Sequence, residues 1–403
     1  MNTEKLWTKN FISITVISFF IFFAFYVLLV ALPLYLVGTL NLGADKVGLV
    51  VTLFLLAAIL IRPFAGKWVS QGSQKKILVY STVAFLLATA LYPFATNIEA
   101  LLALRVFHGL IFGVITTVKG TICAELIPAS RRGEGLSYFS LAMNLAMVLG
   151  PYIGLYLANM NAYNTAFVVC MILSAINIVL ALFMQIPKVT EQLNTSVGKA
   201  KFSWDSLFDK KAAPFALAIF ILACGYSGVS AFLPLYAKSL GLVEAAGSFF
   251  LVYAASIMIS RPFTGRWSDQ WGAKVIIYPC LLLFAVGMFL LSQAHSSAMI
   301  LLSGAIIGLG YGSITPIFQT QIISSVEPHR VGIANSLYFN SMDAGMAIGA
   351  YALGMVASAS NYSSIYLIGV ALILVGAVQY FALTRTEEVV KLQPEASFAD
   401  RDL

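Results

Sequence analysis

Ionisable side chains stand inside long apolar stretches, where a charge is costly and usually serves a pathway: Arg105, His108, Lys119 and Asp343. At 100° per residue, Arg105, His108, Phe112, Thr116 and Lys119 fall within roughly an 80° stripe of one helix. Gly109, Gly113 and Gly120 lie beside that stripe, so a cationic face adjoins one fit for close packing. Farther along, Ser336, Asn340, Asp343 and Ala347 share a face, with Gly345 and Gly349 opposite. Asp343 and His108 can take and release protons, the imidazole having a reference pKa of about 6.5, and Arg105 supplies a fixed charge beside them. These three are the proton-coupling candidates. Lys119, Asn144, Tyr226, Tyr311, Gln319 and Asn340 are the substrate-binding candidates, with Tyr26, Tyr253 and Thr315 as further polar or aromatic wall residues. Two readings stay open: Asp343 as a permanent counter-ion of Arg105 or Lys119, and Lys119 as a side chain that snorkels to an interface. Glu125 sits near the end of its stretch, within reach of water.

No nucleophile–base pair or metal cluster stands out, so an enzyme is not expected. Cys123, Cys170, Cys224 and Cys280 lie in apolar runs without paired spacing and read as packing residues. No phosphate-binding loop of the Gly-x-x-x-x-Gly-Lys-Ser/Thr kind occurs, so neither ATP nor any other cofactor is expected.

What positions these side chains is a set of membrane spans. With 60% hydrophobic and 10% charged residues, the chain cannot coat a soluble particle of 403 residues, and its solvent must be lipid. Apolar runs of roughly 20 residues match a hydrocarbon core of about 30 Å, which predicts an all-α membrane protein rather than a barrel. The segmentation gives spans near residues 11–36, 45–65, 76–95, 100–124, 136–158, 164–186, 213–236, 244–264, 274–293, 297–322, 333–357 and 362–384. The first is too long for a signal-peptide core and is expected to remain as a helix.

Lys67, Lys75, Lys76, Arg131, Arg132, Arg266, Lys274 and Arg330 gather on one side of this arrangement, against Lys46 and Lys238 on the other. The asymmetry predicts that both termini are cytoplasmic, and it accounts for the net charge of +7 without nucleic acid. The organisation expected is a first six-helix bundle over residues 1–186, a polar cytoplasmic linker over 187–212, a second bundle over 213–385 and a cytoplasmic tail over 386–403.

The two bundles are copies. Arg62-Pro-Phe-Ala-Gly66-Lys-Trp68 returns 199 positions later as Arg261-Pro-Phe-Thr-Gly265-Arg-Trp267. The same offset carries Gly109 to Gly308, Gly113 to Gly312, Gly133 to Gly332, Asn144 to Asp343 and Gly150 to Gly349. Parallel repeats with a site between them are the organisation of an alternating-access carrier.

The turn after span 2, Gly66-Lys67-Trp68-Val69-Ser70-Gln71-Gly72-Ser73, and its copy Gly265-Arg266-Trp267-Ser268-Asp269-Gln270-Trp271-Gly272 resemble the signature loop of the major facilitator superfamily. Arg105-x-x-x-Gly109-x-x-x-Gly113 and Gly150-Pro151-x-x-Gly154 resemble two further patterns of that family, the second that of its antiporters. The resemblance covers nearly the whole chain and implies a monomeric carrier of small molecules coupled to protons, with Arg105 in proton handling. It also implies that the loop acid docks on a neighbouring helix terminus and holds one state of the cycle. The first loop departs from the pattern, with Ser70 where the acid belongs, so Asp269 is expected to act alone, against the start of span 5 near Arg131 and Arg132. Independently of any family, Gly150, Pro151 and Gly154 predict a bend and a close helix contact.

The function expected is export of a small organic compound, a drug, metabolite or siderophore-like anion or zwitterion, in exchange for protons. Arg105 and Lys119 against the single deep acid Asp343 favour an anionic or zwitterionic cargo. A proton-coupled uptake symporter and a non-transporting receptor are the rivals.

Overall fold

A computed structural model describes residues 5–38, 44–95, 97–160, 162–186 and 209–392. Most of the proposed linker, and the tail beyond residue 392, lie outside the described residues.

The first half contributes α1 (Lys9–Gly38), α2 (Ala44–Gln71), α3 (Gln74–Leu91), α4 (Ile98–Leu126), α5 (Arg132–Asn159) and α6 (Tyr163–Phe183). The second contributes α7 (Ala213–Ser239), α8 (Val243–Trp271), α9 (Ala273–Ser292), α10 (Ser297–Ser324), α11 (Val331–Ala359) and α12 (Tyr362–Leu392). Among the described residues, eleven of these helices carry stretches long and apolar enough to cross a membrane. Helix α11, 29 residues long, carries Asn335, Ser336, Asn340, Ser341 and Asp343. A span can carry so much polarity only if that face is turned away from lipid.

The 199-residue repeat reaches into local structure. Asn97 caps α4 by accepting from the Ala100 N–H at 2.8 Å, and Ser296 caps α10 by accepting from Met299 N–H at 3.4 Å. Pro63 and Pro262 interrupt α2 and α8 at matched points. Leu60 and Ile259, also matched, are 68% and 67% exposed. Apolar side chains this bare belong against acyl chains.

Lipid provides little hydrophobic drive for helices to associate, so close approach at small residues must hold them. A Cβ at Gly113 would meet the Ala58 carbonyl of α2 at 2.6 Å, and one at Gly308 would meet that of Tyr253 in α8 at 2.6 Å. These contacts clamp α2 to α4 and α8 to α10, the same pair in each half. A Cβ at Gly154 would meet Val27 O of α1 at 2.8 Å, and one at Gly349 would meet Cys224 O of α7 at 2.6 Å. Buried apolar side chains form two clusters, one centred on α1 to α6 and one on α7 to α12. The halves cross where α2 packs on α11 and α5 on α8.

Candidate functional site

Between the halves lies a cavity of about 610 Å³, walled by α1, α2, α4 and α5 on one side and α7, α8, α10 and α11 on the other. Its charged lining residues are Arg62, Arg261 and Asp343. Arg62, 2% exposed, donates through Nη1 to Asp343 Oδ2, tying α2 to α11 across the cavity. The repeat-related pair is Arg261 and Asn144. With the amide oxygen turned to the guanidinium, Asn144 accepts from Arg261 Nη2 at 3.0 Å and Nη1 at 3.2 Å, tying α8 to α5. Arg261 also donates from Nε to Gly312 O at 3.1 Å and from Nη2 to Thr315 Oγ1 at 3.3 Å. The two ties are one contact, made twice by the duplication and altered in charge once.

Of the substrate-binding candidates, Asn144, Tyr226, Tyr311 and Gln319 line this cavity. Tyr226 and Tyr311 stack at 4.1 Å with an interplanar angle of 11°. Gln319 donates to Asn335 Oδ1 at 2.9 Å, and Asn335 donates to Thr117 O of α4 at 3.1 Å, a polar chain beneath the cavity floor. Asn340 and Lys119 are not among the lining residues. Lys119 is fully buried, its Nζ 2.6 Å from Ser18 Oγ and 4.1 Å from the centre of the Phe22 ring.

Arg105 and His108 lie apart from Asp343, inside the first bundle. Tyr92 Oη joins them, at 3.2 Å from Arg105 Nη1 and 2.8 Å from His108 Nδ1, and Arg105 Nε reaches Val50 O at 3.2 Å. The cations whose balance against Asp343 suggested an anionic cargo are therefore not cavity residues. Arg62 and Arg261 are. Their signal was in the sequence: each opens the duplicated Arg-Pro-Phe-x-Gly segment, in register with the Asn144–Asp343 exchange.

The end of the bundle that bears the α6–α7 connection, here the linker end, is shut by matched contacts. A Cβ at Gly66 would meet Gly332 O of α11 at 2.9 Å, and one at Gly265 would meet Gly133 O of α5 at 2.6 Å. Asp269 then accepts from Gly133 N–H at 2.7 Å and Glu134 N–H at 2.8 Å, an anion on the open amides that begin α5. Arg131 is engaged with Glu134 at 2.8 Å, and Arg132 donates to Ser324 Oγ at 3.1 Å. Ser70, the matched residue, approaches Gly332 without a charge. Asp269→Asn is expected to weaken the shut state by about 1 kcal/mol, roughly fivefold in population. The check is the alkylation rate, from the linker side, of a cysteine placed at Ala347 on the cavity wall. On α5, Gly150 and Gly154 lie against α1, flanking Pro151.

Two pseudo-symmetric bundles around a largely apolar cavity that holds three charged side chains, shut at one end by paired glycine crossings, define a membrane carrier of the alternating-access kind. The sequence profile of the Major Facilitator Superfamily matches residues 14–350 and, in a second register, 243–401. The chain belongs to that superfamily. It is 25% identical over 364 residues to an uncharacterized MFS-type transporter of Methanocaldococcus jannaschii, covering 88% of this chain and 93% of that one. It is 22% identical over 359 residues to the staphylopine export protein of Staphylococcus aureus, covering 85% and 88%. Its fold matches the crystal structure of the transporter FucP in the outward conformation with a TM-score of 0.76 at 14% identity, over 93% of this chain and 98% of that one.

Proposed function

We propose that this chain exports a small organic compound across the cell membrane in exchange for protons, acting as a monomer with both termini and the linker end in the cytoplasm. The observation that carries the reading is the Arg62–Asp343 pair. Asp343 is the cavity's one acid among the described lining residues, and its pairing with Arg62 ties the halves together. Protonation of Asp343 removes the charge from that tie, so proton occupancy biases the balance between the two orientations of the cavity. The staphylopine export relative supports the outward direction, and the basic side of the arrangement supports the orientation. Arg105 and His108, remote from the cavity, act on this scheme through the packing of α4 against α2 and α3.

Untargeted comparison of metabolites retained by cells with and without the protein, followed by reconstituted transport of the hit, tests the reading. The expected result is substrate movement opposite to an imposed proton gradient. Movement with the protons would make the chain an uptake symporter, and ligand binding without gradient-driven flux would make it a receptor.

A further inference from the structure

The duplication sets two arginines at equivalent points of one cavity and gives them unequal company. Arg62 faces a carboxylate, whereas the acceptors around Arg261 are a backbone carbonyl, a hydroxyl and an amide. A guanidinium keeps its charge at any physiological pH and carries five N–H donors. Arg261 is 3% exposed, so its charge is held out of water without an anion, which is an expensive arrangement. Two arginines against one aspartate also leave the cavity walls with a positive excess. In the wall of the same cavity Tyr311, 4% exposed, has a hydroxyl with no hydrogen-bond partner among the described residues. A buried donor without an acceptor is rare in a finished core and suits a ligand oxygen.

We propose that Arg261, with Asn144 and Tyr311, is the docking point for a carboxylate on the transported compound. The ligand's carboxylate stands at Arg261 as the Asp343 carboxylate stands at Arg62. One half of the protein carries its anion covalently; the other half takes its anion from the cargo. The body of the ligand packs against the rings of Phe22, Phe25, Tyr226 and Phe339, which makes an aromatic or branched apolar acid the class that fits 610 Å³. The inference rests on the export reading only for the identity of the ligand as cargo.

The test compares binding of 1-naphthoate and its uncharged isostere 1-naphthamide to the purified full-length protein, by ligand fluorescence and thermal unfolding, with no gradient present. Naphthoate is expected to bind at least about tenfold more tightly. Asn144→Asp installs the missing carboxylate, and is expected to erase that preference and to raise the unfolding temperature of the unliganded protein. Gly247→Val, at a residue that does not line the cavity, is expected to keep the preference. Arg261→Gln should lose it, and if that variant fails to fold, Asn144→Asp carries the test. Equal binding of the two probes, binding of neither, or an undiminished preference in Asn144→Asp would overturn the proposal. Such a failure leaves proton-driven transport standing, and absence of transport leaves the binding result intact.

Discussion

Asp343→Asn is expected to abolish uphill transport while leaving substrate counterflow. Losing the counter-ion of a buried arginine is ordinarily destabilising by several kcal/mol. Here the protein already holds Arg261 against an asparagine, at distances of 3.0 and 3.2 Å, so the substituted site reproduces an arrangement the fold tolerates in its other half. What the variant lacks is a group that can change charge. In a one-for-one exchange, a pH difference of one unit sustains about a tenfold substrate gradient, and in Asp343→Asn that ratio should fall to one. Counterflow, which needs alternation of the cavity but no net proton movement, should persist. Asp343→Glu should restore part of the gradient. Undiminished accumulation by Asp343→Asn in proteoliposomes would move the proton step elsewhere, with His108 next to be tested.

The helices and their duplication were legible because lipid tolerates so few alternatives. Every span must be a long apolar run, and a duplicated span that must pack at the same points keeps its glycines in register. Asp269 was legible for a similar reason, since an acid in a turn facing a helix start has few other uses. The direction of the α4 stripe was not. Arg105, His108, Phe112, Thr116 and Lys119 are all buried, as one face should be, yet of them only Phe112 lines the cavity. Periodicity separates lipid-facing from protein-facing residues. It cannot separate the inside of one six-helix bundle from the space between two, because both are hidden from lipid. Hydropathy ends these spans near residues 65 and 264, where Arg62 and Arg261 read as interfacial. The helices run on to Gln71 and Trp271, and that extra length carries the basic turns outward and leaves the arginines in the cavity wall.

Gly265→Val is expected to abolish transport by a different route, at the linker end. The Cβ alone would sit 2.6 Å from Gly133 O and 2.8 Å from Ser137 Cβ, with backbone on one side that cannot rotate out of the way. Valine adds two methyl groups to a contact that already has no room. Reversing a two-state balance from 99:1 to 1:99 takes about 5.5 kcal/mol, and steric overlap of this kind, together with the displaced Asp269 contact, supplies an effect of that order. The closed linker end should cease to form, and the cavity should stand open toward the linker side. A cysteine at Ala347 should then be alkylated from that side at least about a hundredfold faster than in the parent, with turnover lost. Gly66→Val, at the matched crossing with Gly332, should do the same. Gly247→Val serves as the comparison, since a Cβ there meets nothing within 4 Å. Normal transport by Gly265→Val would show that the crossing of α5 and α8 is not a gate, and that the cavity is closed at this end by the polar chain of Gln319, Asn335 and Thr117 instead.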